Sequence, residues 1–167
     1  MSPCFCCSEP DAGLKLNTER HMLKCYMADT GLLVSHAFDE NSLVSEGIYR
    51  RLLLGRLEFE SGMLSENIVA QMLTASGHKL YFYSCASRED AASRMEIDFL
   101  IRKKEAASGH SISPIEVHSG KHYTLSSLRK CMARYGQYLH DPYVIHAKDL
   151  KKDDGITYIP YYMTPLL

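Results

Sequence analysis

The 167-residue sequence predicts an α/β domain in which a helix, a three-stranded meander, a crossover helix and two short strands follow a mostly helical lead-in. Three observations predict it. Leu64, Ile68, Val69, Met72 and Leu73 recur at helical spacing. Residues 95–102, MEIDFLIR, alternate apolar and acidic in the strand period. Leu125, Leu128, Met132 and Tyr135 then return to the helical period.

Residues 1–60 carry apolar side chains over 14–34 and 43–57 without strand alternation, which predicts a partly helical segment, the remnant of a linking domain. The next helix spans roughly 62–76, and Gly77 stops it. KLYFYS at 79–84 is aromatic-rich and reads as a strand. In the strand at 95–102, Met95, Ile97, Phe99 and Ile101 are expected on one face. SPIEVH at 113–118 is the third strand, and the small, polar stretches between these strands are turn-like, which makes the three antiparallel neighbours. The helix at 124–135 then crosses to strands at 143–147 and 156–159. The second domain therefore covers residues 61–167.

Apolar residues make up 46% of the chain and charged residues 23%, which excludes disordered and fibrous classes. A net charge of −1 excludes a global basic field for nucleic acid, so any such binding must be local. The amino terminus lacks the basic start and apolar run of a signal peptide, and Leu52, Leu53 and Leu54 are flanked by arginines. A cytoplasmic protein with no membrane segment is expected. The cysteines at 4, 6, 7, 25, 85 and 131 have no paired spacing and read as free thiols, not as a zinc site.

Strand geometry sets Glu96 and Asp98 opposite Ile97 and Phe99, and Glu116 and His118 opposite Ile115 and Val117. Glu66 lies at the edge of the apolar arc of the preceding helix and can border the sheet. Carboxylates converging from a helix and two strands repel unless they are protonated or bridged by a hard divalent cation. Mg²⁺ or Mn²⁺ in such a place suits phosphodiester hydrolysis. The competing reading is the ordinary acidic face of a half-solvated strand.

MEIDFLI at 95–101 followed by PIEVHSGK at 114–121 resembles the D...ExK core of the PD-(D/E)xK, or restriction-endonuclease-like, superfamily. Together with YMADTGLL at 26–33, SENIVAQML at 65–73 and the closing YIPYYMTPLL, the chain is similar over residues 14–167 to the uncharacterised C-terminal domain of prokaryotic AAA-type ATPases. The resemblance implies a restriction-endonuclease-like core with Glu66, Asp98 and Glu116 as metal-binding catalytic acids. His118 stands where the related pattern has lysine, and Lys121 is placed to reach back. An imidazole replaces a permanent ammonium there, which implies weak or lost phosphodiesterase activity. The sequence has no G-x-x-x-x-G-K-[ST] phosphate loop, so the chain reads as a detached C-terminal portion with no ATPase activity of its own.

From 119 to 152 the chain holds Lys121, Arg129, Lys130, Arg134, Lys148, Lys151 and Lys152 against Asp141 and Asp149. This basic flank, with Lys121, Arg129, Lys130 and Arg134 foremost, suits a nucleic-acid backbone. The alternative is a non-catalytic module that docks or regulates an ATPase domain through the amino-terminal region.

Overall fold

A computed structural model describes residues 1–10, 13–38, 61–86, 93–102, 112–120 and 122–167. One eight-stranded mixed sheet organises them, in the order β2-β1-β3-β4-β5-β6-β8-β7. The elements are β1 (Ser2–Cys7), β2 (Thr18–Tyr26), α1 (Thr30–Phe38), α2 (Ser61–Ala75), β3 (Leu80–Cys85), β4 (Met95–Arg102), β5 (Ile112–His118), α3 (Ser126–Tyr135), β6 (Tyr143–His146), β7 (Lys151–Asp153), β8 (Ile156–Pro160) and a 3₁₀ turn over Tyr161–Leu166.

The meander and crossover follow the expected plan. β3, β4 and β5 pair antiparallel, and α3 carries the chain from β5 to the parallel β6. Gly77 sits at φ +87°, the left-handed conformation that ends α2 with no side-chain penalty. Two expectations are corrected. Among the described residues the lead-in is not mostly helical: β1 and β2 form a hairpin, and β1 pairs parallel with β3, so the hairpin belongs to the same sheet as the residues beyond 61. The segments expected around 43–57, including Leu52, Leu53 and Leu54, lie outside the described residues. β7, a short exposed ribbon against β8, was also not expected.

The second correction concerns β4. Tyr81 is opposite Leu100 and Tyr83 is opposite Ile97, so one residue of β3 faces two of β4, Asp98 and Phe99. This bulge breaks the alternation. Met95 and Ile97 pack on the α3 side of the sheet, whereas Phe99 and Ile101 turn to the α2 side.

Both faces of the sheet are covered. On one face Val69, Ala70 and Leu73 of α2 meet Phe82, Phe99, Ile115, Val117 and Ile145, with Tyr161 and Met163 of the 3₁₀ turn at the margin. On the other, Leu128, Cys131 and Tyr135 of α3 meet Tyr83, Ile97, Leu100 and Val144. Each fully buried aliphatic side chain contributes about 1.5–3 kcal/mol. Cover on both faces also leaves β5 and β6 buried almost throughout. Cys4 and Cys131 are packed in these cores, and burial pushes both thiols up to about 12, so they behave as small apolar side chains. All six cysteines are free. No helix is long and apolar enough to cross a membrane among the described residues.

Candidate functional site

The site is assembled where β4 and β5 part. Their pairing runs from Arg102 opposite Ile112 to Phe99 opposite Ile115 and goes no further toward the bulge. Beyond it the Val117 N–H has no backbone partner on β4 and donates instead to Asp98 Oδ2 at 2.8 Å. The carboxylate thus replaces a rung of the ladder.

The flanking segments are pinned to α2 by side chains one turn apart. Asn67, almost fully buried, accepts from the Met27 N–H at 2.8 Å and donates to the Met27 carbonyl and to Thr30 Oγ1. Gln71, four residues on and therefore on the same helical face, donates to the same two oxygens. Asp29 Oδ1 accepts from the Leu32 N–H at the start of α1, the role of a capping carboxylate. This clamp fixes the end of β2 beside α2, and Tyr26 Oη donates to Glu66 Oε2 at 3.0 Å. Two residues earlier on β2, the Lys24 ammonium lies 2.8 Å from Glu96 Oε1 and 3.8 Å from Glu66 Oε2, above the ring of Phe82.

The electrostatics follow from this crowding. Burial raises the Asp98 carboxyl, the neighbouring Glu66 charge raises it further, and the Val117 N–H and Lys24 only partly oppose them; it is pushed up to about 7. Burial pulls the Lys24 ammonium down, but its hydrogen bond to Glu96 and the charges of Glu66 and Asp98 outweigh this and hold it above its ordinary value. Burial and Glu66 likewise raise the Tyr26 phenol, which stays protonated as a donor.

Glu116 occupies different surroundings. Its neighbours in sequence, Ile115 and Val117, pack against the α2 side, and its own charge acts on Cys131 of α3. It is buried, and its Oε2 lies 3.0 Å from His118 Nε2. The His118 ring stacks on Tyr123 with centroids 4.2 Å apart and planes 4° from parallel. Tyr123 Oη is hydrogen-bonded to His146 Nδ1 at 3.1 Å, and Tyr161 Oη donates to the His118 carbonyl. Glu66 thus stands with Asp98, and Glu116 is coupled to His118, while the Glu116 charge still acts on Asp98 and helps to raise its carboxyl. Among the described residues no three His, Cys, Asp or Glu side chains group as metal ligands. Two carboxylates in one half-buried place nonetheless suit Mg²⁺ or Mn²⁺, which binds through one or two carboxylates and keeps several waters. The raised Asp98 carboxyl marks an uncompensated pair that such a cation would relieve.

Lys121 lies outside the described residues. Of the other basic candidates on α3, exposed Arg129 pairs with Asp154 at 3.1 Å, Lys130 donates to the Arg94 carbonyl, and the Arg134 guanidinium lies over the Tyr135 ring. Sequence reading missed Lys24, Tyr26, Asn67 and Gln71 as parts of the site. Tyr26 and Asn67 do stand in the quoted motifs, and an amide pair at i and i+4 on an otherwise apolar helix was an available signal.

Four of the five quoted motifs are thus joined by hydrogen bonds in two interlocking groups. YMADTGLL meets SENIVAQML through Tyr26–Glu66 and the amide clamp, and EIDFLI meets IEVHSGK through Asp98 and Val117. YIPYYMTPLL adds Tyr161 to the second group. No curated protein and no solved structure matches the chain. The model of one family, described as "Domain of unknown function (DUF4143)", matches residues 61–163, more than half of the chain and including α2, the meander, α3 and the last strands. The chain belongs to this DUF4143 family.

Proposed function

We propose that this chain is a nuclease-like domain of the PD-(D/E)xK kind, part of an AAA-type ATPase protein, that binds a divalent cation and a nucleic-acid backbone and has weak or lost phosphodiesterase activity. The observation that carries the reading is the buried Asp98 carboxylate at the parting of β4 and β5, raised to about 7 beside Glu66. Perturbed carboxylates of this kind concentrate at working sites. Glu66 and Asp98 would hold Mg²⁺ or Mn²⁺, which when bound supplies Lewis-acid polarisation of phosphate and a more acidic water.

The chain's own residues divide the remaining work. Tyr26 fixes one Glu66 oxygen by donating to it, leaving the other for a ligand. Lys24 brings a positive charge to the same carboxylates, at the place where a developing phosphorane gains most from it. His118, oriented by Glu116, offers an imidazole where the related pattern has an ammonium, and this weakens transition-state stabilisation.

Titration with Mn²⁺ of the wild type and of Asp98→Ala, followed by calorimetry, tests the reading. A defined binding event lost in the variant is expected; equal binding by both would overturn it.

A second reading, a non-catalytic docking module, is favoured by the hairpin. Phe5, Leu16, Met22 and Leu23 are exposed there and border an open groove with Met1, Leu80 and Tyr81. Exposed apolar patches of this sort mark protein contacts.

A further inference from the structure

The carboxylate pair says nothing of how a polyanion approaches it. The structure gathers Arg129, one of the basic residues foremost in the sequence, with two lysines from beyond β6. A cleft of about 750 Å³ opens beside the amino end of α3 and is lined by His122, Tyr123, Arg129, Lys148, Lys151 and Tyr158, among others. Among the described residues no carboxylate lines it; Asp154 and Asp153, which pair with Arg129 and Lys151, are not among its walls. A second recess of about 450 Å³ shares His122, Tyr123 and Lys148 with it and adds Ser119, Gly120 and His146.

Three features of the walls point to one ligand class. Lys148 and Lys151 lie three residues apart in the segment after β6 and in β7, and the fold adds Arg129 of α3 to them. The aromatic walls are held in place: Tyr123 is stacked on His118 and hydrogen-bonded to His146, while the Lys151 ammonium lies 4.2 Å from the centroid of the Tyr158 ring. The first backbone N–H groups of α3 add a smaller positive potential. Cations interleaved with fixed aromatic rings suit a strand whose phosphates and bases are both accessible; a duplex hides its base faces. The Tyr123–His118–Glu116 contacts connect this cleft to the strand that carries the acids.

We propose that the cleft walled by Tyr123, Arg129, Lys148, Lys151 and Tyr158 binds single-stranded nucleic acid, with its phosphates on the three cations and a base against the half-buried Tyr123. This rests on the nucleic-acid part of the function proposed above and gives it a location on the α3 side of the sheet.

The test is fluorescence anisotropy with a labelled oligothymidylate of about a dozen nucleotides, in EDTA so that the carboxylate pair takes no part. The proteins are wild type, the double variant Lys148→Gln/Lys151→Gln and the control Lys79→Gln. Both lysines are exposed, so the double variant keeps the fold, which a thermal melt checks. Expected are at least tenfold weaker binding by the double variant and a salt dependence shallower by about 1.4 in log–log slope, for two lost phosphate contacts. Lys79→Gln, an exposed lysine outside the cleft, is expected to bind as wild type does. Equal binding by the double variant and wild type would place the strand elsewhere and overturn the cleft while leaving the broader function standing. Tighter binding of a duplex than of the single strand would also overturn it. No binding by wild type up to about 100 μM, together with Mn²⁺ binding lost in Asp98→Ala, would remove the cleft and keep the metal site. Cleft-dependent binding without any Mn²⁺ binding would do the reverse.

Discussion

Replacing Asp98 with asparagine should make the protein more stable, and by an amount that depends on pH. In the folded chain the Asp98 carboxyl titrates near 7, against an ordinary 3.8. Between these values the folded form holds a proton that the unfolded form has released. Stability therefore falls as pH rises from about 4 to about 7 and is level beyond. A carboxyl displaced that far corresponds to about 4 kcal/mol as a ceiling, and the residual solvent access of this side chain brings the expected figure nearer 2. Asparagine cannot ionise, yet its carbonyl can still accept from the Val117 N–H. The variant should match wild type near pH 4 and exceed it by about 2–4 kcal/mol at pH 8. Urea denaturation of both proteins at three pH values measures the difference, in which all other titrations cancel. Lys24→Met is a control of opposite sense: without the ammonium, Asp98 should titrate higher and the window should extend above 7. A constant difference between Asp98→Asn and wild type across the range would refute the reasoning, because it would mean that Asp98 is ionised throughout.

His118→Lys should raise Mg²⁺-dependent cleavage of DNA or RNA about a hundredfold, the ~3 kcal/mol of one added transition-state contact; a gel assay in which this variant folds, binds Mg²⁺ and stays inert would assign the loss of activity to something else. The chain should show no saturable binding of ATP at micromolar levels, since its sequence holds no phosphate loop, and isothermal titration checks this. Leu23→Glu should reduce self-association through the exposed hairpin face, seen as a later elution at high concentration in sizing chromatography, whereas unchanged elution would mean that the patch takes no part. Gly77→Ala should cost about 1 kcal/mol through its positive φ alone, since an added Cβ there meets nothing within 4 Å; thermal melting gives the value.

The elements legible in the sequence were those with a single strong period. α2 and α3 carry apolar stripes over two or more turns, and MEIDF at 95–99 alternates cleanly, so their limits were read to within a few residues. The hairpin was not legible. β1 is SPCFCC, whose buried face consists mostly of cysteines, and β2 is an edge strand rich in charged side chains. Neither shows the branched and aromatic alternation that marks a strand. The bulge was hidden for another reason: alternation over 95–99 gives way to the apolar run Phe99-Leu100-Ile101, which reads equally as a strand buried on both faces, and only the pairing with β3 reveals that Asp98 and Phe99 share one position. The acids were found by residue type, but their grouping was not. Whether Glu116 joins Asp98 depends on where the strands part, and whether Lys24 reaches them depends on a hairpin that had not been recognised.

That hairpin also decides what the rest of the molecule exposes. At present the sheet ends on β2 and β7, both studded with charged side chains, and such edges resist pairing with another chain. β1 meets its parallel partner β3 across more than seventy residues, and closing so long a loop slows its docking. Until it docks, or if residues 1–26 are cut away, the boundary of the sheet moves inward to Leu80–Cys85, a strand of three consecutive aromatic rings without a single charge. Proteolytic trimming or delayed docking at the amino terminus thus converts a protected border into a template for intermolecular strand addition, and the charges of β2 act as a gatekeeper for aromatic residues with which they share no hydrogen bond.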